Sequence, residues 1–171
     1  MKKHSGFTLV ELMVVVAIAG MVMAFAIPAM GTFIKNERLV TQINTLVGHL
    51  AYARSEAVTR RQQVILCASS PPLTSCSGTN WADGWILFID ADNDSTFDAG
   101  ELILRAKAPL EGIGTTLVST AGSMVIYDNR GFSPNANGVF SLCDDRGAAH
   151  VKSISITNTG RVRRGGSSLC I

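Results

Sequence analysis

The chain is short of histidine, of net charge and of metal-binding spacings, and each shortage narrows what it can be. There are three histidines, His4, His49 and His150, and no nucleophile sits in a recognisable elbow or triad motif, so the sequence reads as a non-enzyme. The four cysteines include no Cys-x-x-Cys pair and have no histidine nearby, which argues against a zinc site, and no cofactor is expected. Formal charge is only +2. Loss of Lys2 and Lys3 would leave 13 basic residues against 13 acidic ones, so bulk charge selects no partner and only its distribution can.

Charge is also missing from most of the N-terminal segment, and that absence is informative. After Met1-Lys2-Lys3-His4-Ser5-Gly6, residues 7–27 are apolar or glycine apart from Thr8 and Glu11. As a helix rising about 1.5 Å per residue, these 21 residues match a hydrocarbon core of ~30 Å. One acid in such a segment, at a cost of at least ~2.5 kcal/mol in lipid, marks function and calls for a cationic partner. An ordinary secretory signal places its small residue after the apolar core. Here Gly6 comes before it, so cleavage after Gly6 leaves the helix on the mature chain. It also creates an α-amino group at Phe7, on the same helix face as Glu11.

The run Gly6-Phe7-Thr8-Leu9-Val10-Glu11 resembles the type III signal of type IV prepilins and type II secretion pseudopilins. The resemblance implies cleavage by a prepilin peptidase between Gly6 and Phe7, N-methylation of Phe7, and packing of the helix with other pilins. It further implies that Glu11 neutralises the N-terminal amine of a neighbouring subunit, and that Pro28 stands where such helices often bend.

Beyond Pro28 the apolar positions Leu39, Ile43, Leu46, Leu50, Ala53 and Ala57 recur at the spacing of one buried helical face, with Gln42, Asn44, His49 and Arg54 elsewhere. The pattern predicts one helix over residues 8–61, with Gly20, Gly31 and Gly48 as weak points. Short strand-like runs follow at residues 64–67, 84–89, 102–104, 124–127, 139–142 and 151–156, punctuated by Gly, Asn, Asp and Pro. The expected fold class is α+β, the type IV pilin fold, with a long N-terminal helix packed on an antiparallel β-sheet head. Expected segments are a leader at 1–6, an apolar half-helix at 7–29, an amphipathic half at 30–61 and a head at 62–171.

Four cysteines beyond a membrane helix suggest an oxidising compartment. They allow three pairings, among which sequence alone does not choose. The expectation is Cys67–Cys76, closing a Pro/Ser/Gly loop, and Cys143–Cys170, pinning the tail. Trp81 and Trp85 read as packing residues under the first loop, and Tyr52 as helix-face core.

Ala53-Arg54-Ser55-Glu56-Ala57, the run at 64–67, Trp81-Ala82-Asp83-Gly84-Trp85 and Gly100-Glu101-Leu102-Ile103-Leu104-Arg105 together resemble the GspH/FimT-type minor pilins and pseudopilins over essentially the whole chain. That family implies initiation and tip work in a filament.

From residue 147 onward there are four basic residues, Lys152, Arg161, Arg163 and Arg164, and no acid. Gly160 suits a turn after the 151–157 strand. On an extended arm Arg161 and Arg163 point to one side and Val162 to the other. Flanking Gly and Ser would let backbone N–H groups approach phosphate. Gly160-Arg161-Val162-Arg163 resembles the DNA-binding tail motif of FimT-type pilins active in natural transformation. It implies phosphate contacts from Arg161 and Arg163, with Arg164, Lys152 and His150 adding field. The competing reading is a solvated basic turn, or arginines paired with Asp144 and Asp145. No aromatic residue interleaves the arginines, so the sequence supports backbone-directed, sequence-nonspecific DNA binding without base stacking.

The functional expectation is a minor pilin held in the bacterial inner membrane with its head in the periplasm, then carried on a cell-surface pilus, binding DNA for uptake. Its alternatives are a structural or priming minor pilin serving assembly, adhesion or twitching, and a type II secretion pseudopilin. The acids Asp90, Asp92, Asp94, Asp98 and Glu101 fall at calcium-loop positions 1, 3, 5, 9 and 12, but position 6 is Ser95 and the flanks read as strands. A polar hairpin loop is the favoured reading over a calcium site.

Overall fold

The computed structural model of the chain describes residues 6–167 and Cys170; the leader residues 1–5 lie outside the described residues. One helix, α1, spans Leu9–Arg60 and runs unbroken through Gly20, Gly31 and Gly48. Its start is a reciprocal capping box. Thr8 Oγ1 accepts the Glu11 N–H at 3.2 Å, and Glu11 Oε2 accepts the Thr8 N–H at 3.4 Å. It stops at Arg61, whose φ of 56° is the left-handed conformation that commonly closes helices. The chain divides into two compact units, one ending at Glu37 and the other beginning at Arg38.

The second unit holds eight strands in chain order: β1 (Gln63–Ala68), β2 (Trp85–Asp90), β3 (Ile103–Lys107), β4 (Thr116–Ser119), β5 (Met124–Tyr127), β6 (Gly138–Cys143), β7 (Lys152–Ile156) and β8 (Val162–Arg164). They form two antiparallel sheets, ordered β3-β2-β1-β5 and β4-β6-β7-β8. Leu39, Ile43, Leu46, Leu50, Ala53 and Ala57 of α1 are buried, the face the periodicity gives. They meet Val64, Leu66, Trp85 and Leu87 of the first sheet and Phe140, Leu142, Ile154 and Ile156 of the second in one core. Each large apolar side chain buried there contributes about 1.5–3 kcal/mol.

Because strand side chains alternate, the first sheet has a second apolar face, made by Ile65, Cys67, Ile86 and Phe88. Leu73 and Cys76 of the loop after β1, and Phe97 of the loop after β2, pack against it. The disulfides join Cys67 to Cys76 and Cys143 to Cys170, with Cα separations of 5.6 and 5.9 Å. Trp81 and Trp85 belong to the other face, under the helix, so their expected place beneath the disulfide loop is corrected. The reason is parity: Trp85 is one residue out of step with Ile86 and Phe88. Gln42 is also buried rather than solvated, because its Nε2 donates to the Glu111 carbonyl at 2.8 Å. Tyr52 is half-buried, with the Arg105 guanidinium 4.6 Å over its ring.

Candidate functional site

The basic arm is set by a turn that only glycine fits. Gly160 has φ 71° and donates its N–H to the Thr157 carbonyl at 2.8 Å. A Cβ there would lie 2.3 Å from the Gly131 carbonyl oxygen and 2.9 Å from Tyr127 Cε1. The turn after β7 therefore sits directly on the turn after β5, and Ser133 N–H donates to Asn158 O at 2.9 Å across the same junction. This corrects one sequence expectation. Gly160 is buried with its N–H already committed, so the glycine shapes the arm and offers no backbone donor to phosphate.

After the turn, β8 pairs with β7 as the edge of its sheet, with Ser155 opposite Arg163 and Ile156 opposite Val162. Alternation then sorts the basic residues. Val162 packs on the core, and Arg164 on the same side donates to Asn44 Oδ1 of α1 at 3.1 Å. Arg164 and Lys152 line a recess of about 330 Å3 beside Asn44. Arg161 and Arg163 line a different recess of about 550 Å3, with Arg54, Phe132, Thr157 and Thr159. The expected group of four cations is thus two groups. His150 ends a short 3-10 turn and lines neither recess.

Asp144 pairs with Arg146 at 2.7 Å and Asp128 with Arg130 at 2.9 Å, and neither Arg161 nor Arg163 has an ion pair among the described residues. Asp128 organises the neighbouring turn. Its carboxylate accepts the N–H groups of Arg130 and Phe132, both at 2.9 Å. Burial pushes its pKa up, but the Phe132 N–H and the Arg130 guanidinium and N–H together hold it below the ordinary value. The Arg130 guanidinium lies 5.5 Å over the exposed Phe132 ring, and Arg54 Nε donates to Gly131 O at 3.0 Å. Arg54, Arg130 and Phe132 are far from the arm in sequence, and nothing there linked them to it. The link is the glycine contact between two turns.

A family model for the type II transport protein GspH matches residues 42–160. The chain belongs to the GspH family. A model for the prokaryotic N-terminal methylation motif matches residues 1–27. Two crystal structures of the type IV minor pilin FimU of Pseudomonas aeruginosa (strain PAO1) share the fold. One, in space group P21, has a TM-score of 0.62 at 21% identity, covering 81% of this chain and 96% of that chain. The other, in P65, has 0.58 at 21%, covering 78% and 97%. No curated protein is similar enough to match. This GspH-family chain therefore has the type IV pilin fold and falls in the minor pilin and pseudopilin class. Its arginine arm begins where the family match ends.

At the other end of this GspH-family chain, Gly6 and Phe7 precede α1 and Phe7 is 83% exposed. The helix carries an 18-residue window of mean hydropathy 2.5, long and apolar enough to cross a membrane. The acidic loop after β2 uses its carboxylates on itself. Buried Asp90 accepts from Gln63 Nε2 at 2.7 Å and from the N–H groups of Asn93 and Ser95 at 2.8 and 3.0 Å. Asp94 accepts from Thr96 N–H, and Glu101 from Ala91 and Asp98 N–H. Asp90, Asp92 and Asp94 offer oxygens within 4.8 Å of one another, without Asp98 or Glu101. The flanks are strands β2 and β3, which pair as a hairpin.

Proposed function

We propose that this chain is a minor pilin of the GspH/FimT kind, which joins a type IV pilus and binds extracellular DNA through Arg161 and Arg163 for uptake in natural transformation. In this reading it waits in the inner membrane with its head in the periplasm. Prepilin peptidase cuts between Gly6 and Phe7, Phe7 is N-methylated, and Glu11 neutralises the new amine of a neighbouring pilin as the helices pack.

One observation carries the DNA reading. Arg161, just before the edge strand β8, and Arg163, within it, are both exposed and line one recess, without a carboxylate partner among the described residues. Alternate strand residues are roughly 7 Å apart, so two guanidinium groups reach along a phosphate backbone without reading base edges. So few contacts bind weakly in one subunit, and several copies on a filament add avidity. Arg164, held by Asn44, and Lys152 contribute field from the other side of the arm.

The test is a salt-dependent duplex titration of the full chain in zwitterionic detergent, beside its Arg161→Gln/Arg163→Gln variant. Loss of two phosphate contacts lowers the log–log salt slope by about 1.8 and weakens binding to every sequence. Equal binding and slope in both proteins would sink the site. The description of the family as a type II transport protein favours a second reading, a secretion pseudopilin or an assembly-priming pilin whose head contacts other pilins. That role needs α1 and Glu11 but not the two arginines.

A further inference from the structure

The arginine recess holds an aromatic ring, and two phosphate-binding cations do not account for it. Phe132 is 46% exposed, while Trp81, Trp85, Phe88, Tyr127 and Phe140 are each at most 1% exposed. Its position is fixed: Asp128 accepts its N–H at 2.9 Å, and its carbonyl accepts the Asp128 N–H at 2.9 Å. The fit of Gly160 against Gly131 then brings this turn beside the arm, so that Phe132, Arg161 and Arg163 line one recess. Arg130 lies over the ring, its own charge paired with Asp128.

We propose that this recess takes single-stranded nucleic acid, with a base stacked on Phe132 and the flanking phosphates held by Arg161 and Arg163. The inference rests on the DNA-binding reading above and narrows its substrate. Duplex bases are stacked on one another and present only their edges, so a half-exposed ring beside a cationic strand gains nothing from intact duplex. An unpaired base has a free π-face, and stacking on an aromatic side chain is indifferent to sequence. The recess has the two parts such sites combine, a cationic track and a stacking ring. Thr157 and Thr159, whose hydroxyls meet at 2.9 Å, line the same recess with polar groups able to take a sugar or base edge.

The full chain in zwitterionic detergent is titrated against a labelled single strand of roughly 12 nucleotides and against its duplex, at one salt concentration. Phe132→Ala, Phe132→Trp and Arg161→Gln/Arg163→Gln variants follow, each checked for native circular dichroism. The wild type is expected to favour the single strand. Phe132→Ala weakens single-strand binding about 5- to 150-fold and brings the single-strand to duplex ratio near one, and Phe132→Trp restores it. The arginine variant loses both substrates. If the wild type binds both equally and Phe132→Ala changes neither, stacking is wrong and the phosphate site survives. A Phe132→Ala variant that loses both equally also overturns stacking, because the ring then only supports the arm. If the wild type binds neither substrate, the DNA reading itself falls.

Discussion

Gly160 decides more than its size suggests. It occupies a left-handed turn and leaves no room for a Cβ against the Gly131 carbonyl. Gly160→Ala adds about 1 kcal/mol of backbone strain and a contact that forces the two turns apart. We expect a total loss of at least ~2 kcal/mol, a fall in Tm of about 4–8 °C, and weaker DNA binding. Calorimetry and the same titration measure both, and an unchanged melting curve would show that the turns are not locked together. At this scale the sequence was informative about chemistry and silent about neighbours. Arg161 and Arg163 were legible because strand alternation is local. Phe132 was not, because its place beside them depends on a glycine–carbonyl contact between segments remote in sequence. Gln42 misled for the same reason, its partner being a loop carbonyl.

At the scale of elements, the loop after β2 acts as a cover. Phe97 packs edge-on against Phe88, with ring centroids 5.1 Å apart, on the sheet face away from the helix. The carboxylates of Asp90, Asp94 and Glu101 hold the loop's own N–H groups, which fixes the shape that delivers this ring. Phe97→Ala removes the cover and is expected to destabilise the head by about 2–3 kcal/mol, read as a lower denaturant midpoint at an unchanged slope. No change in the midpoint would mean that the face is sealed by the disulfide loop alone. The helix and six of the strands were legible from periodicity and punctuation. β4 was not, since Thr116-Leu117-Val118-Ser119 is short and only Leu117 is buried. The division into two sheets was not either, because local patterns carry no record of which strands pair.

For the whole molecule, stability should fall with acid in two windows. His49 Nδ1 accepts the indole N–H of fully buried Trp85 at 2.9 Å, which only the neutral imidazole can do. Burial, then the charges of Arg105 and Lys107, hold its folded-state pKa below 6.5. The unfolded chain therefore takes up the proton first. The contribution of this contact is complete above pH 6.5 and is lost as pH falls from there towards the lower folded-state value. Asp128, depressed from 3.8, adds a second loss as pH falls below that value. Denaturant midpoints across pH test this: His49→Gln should abolish the upper step and leave the lower one. An upper step that persists in the variant would place the sensitivity elsewhere.

The bond between Cys143 and Cys170 has a mechanical consequence. It makes residues 143–170 a covalently closed ring that contains β7, β8 and all three arginines of the arm. One end of that ring is Cys143, on β6, an interior strand of its sheet. β8 is three residues long and paired on one side only, the kind of strand that unzips from its free end under load. Closing the ring removes that free end. A pull on the arm is led into the middle of the sheet, and the arm can give only as far as its tether allows.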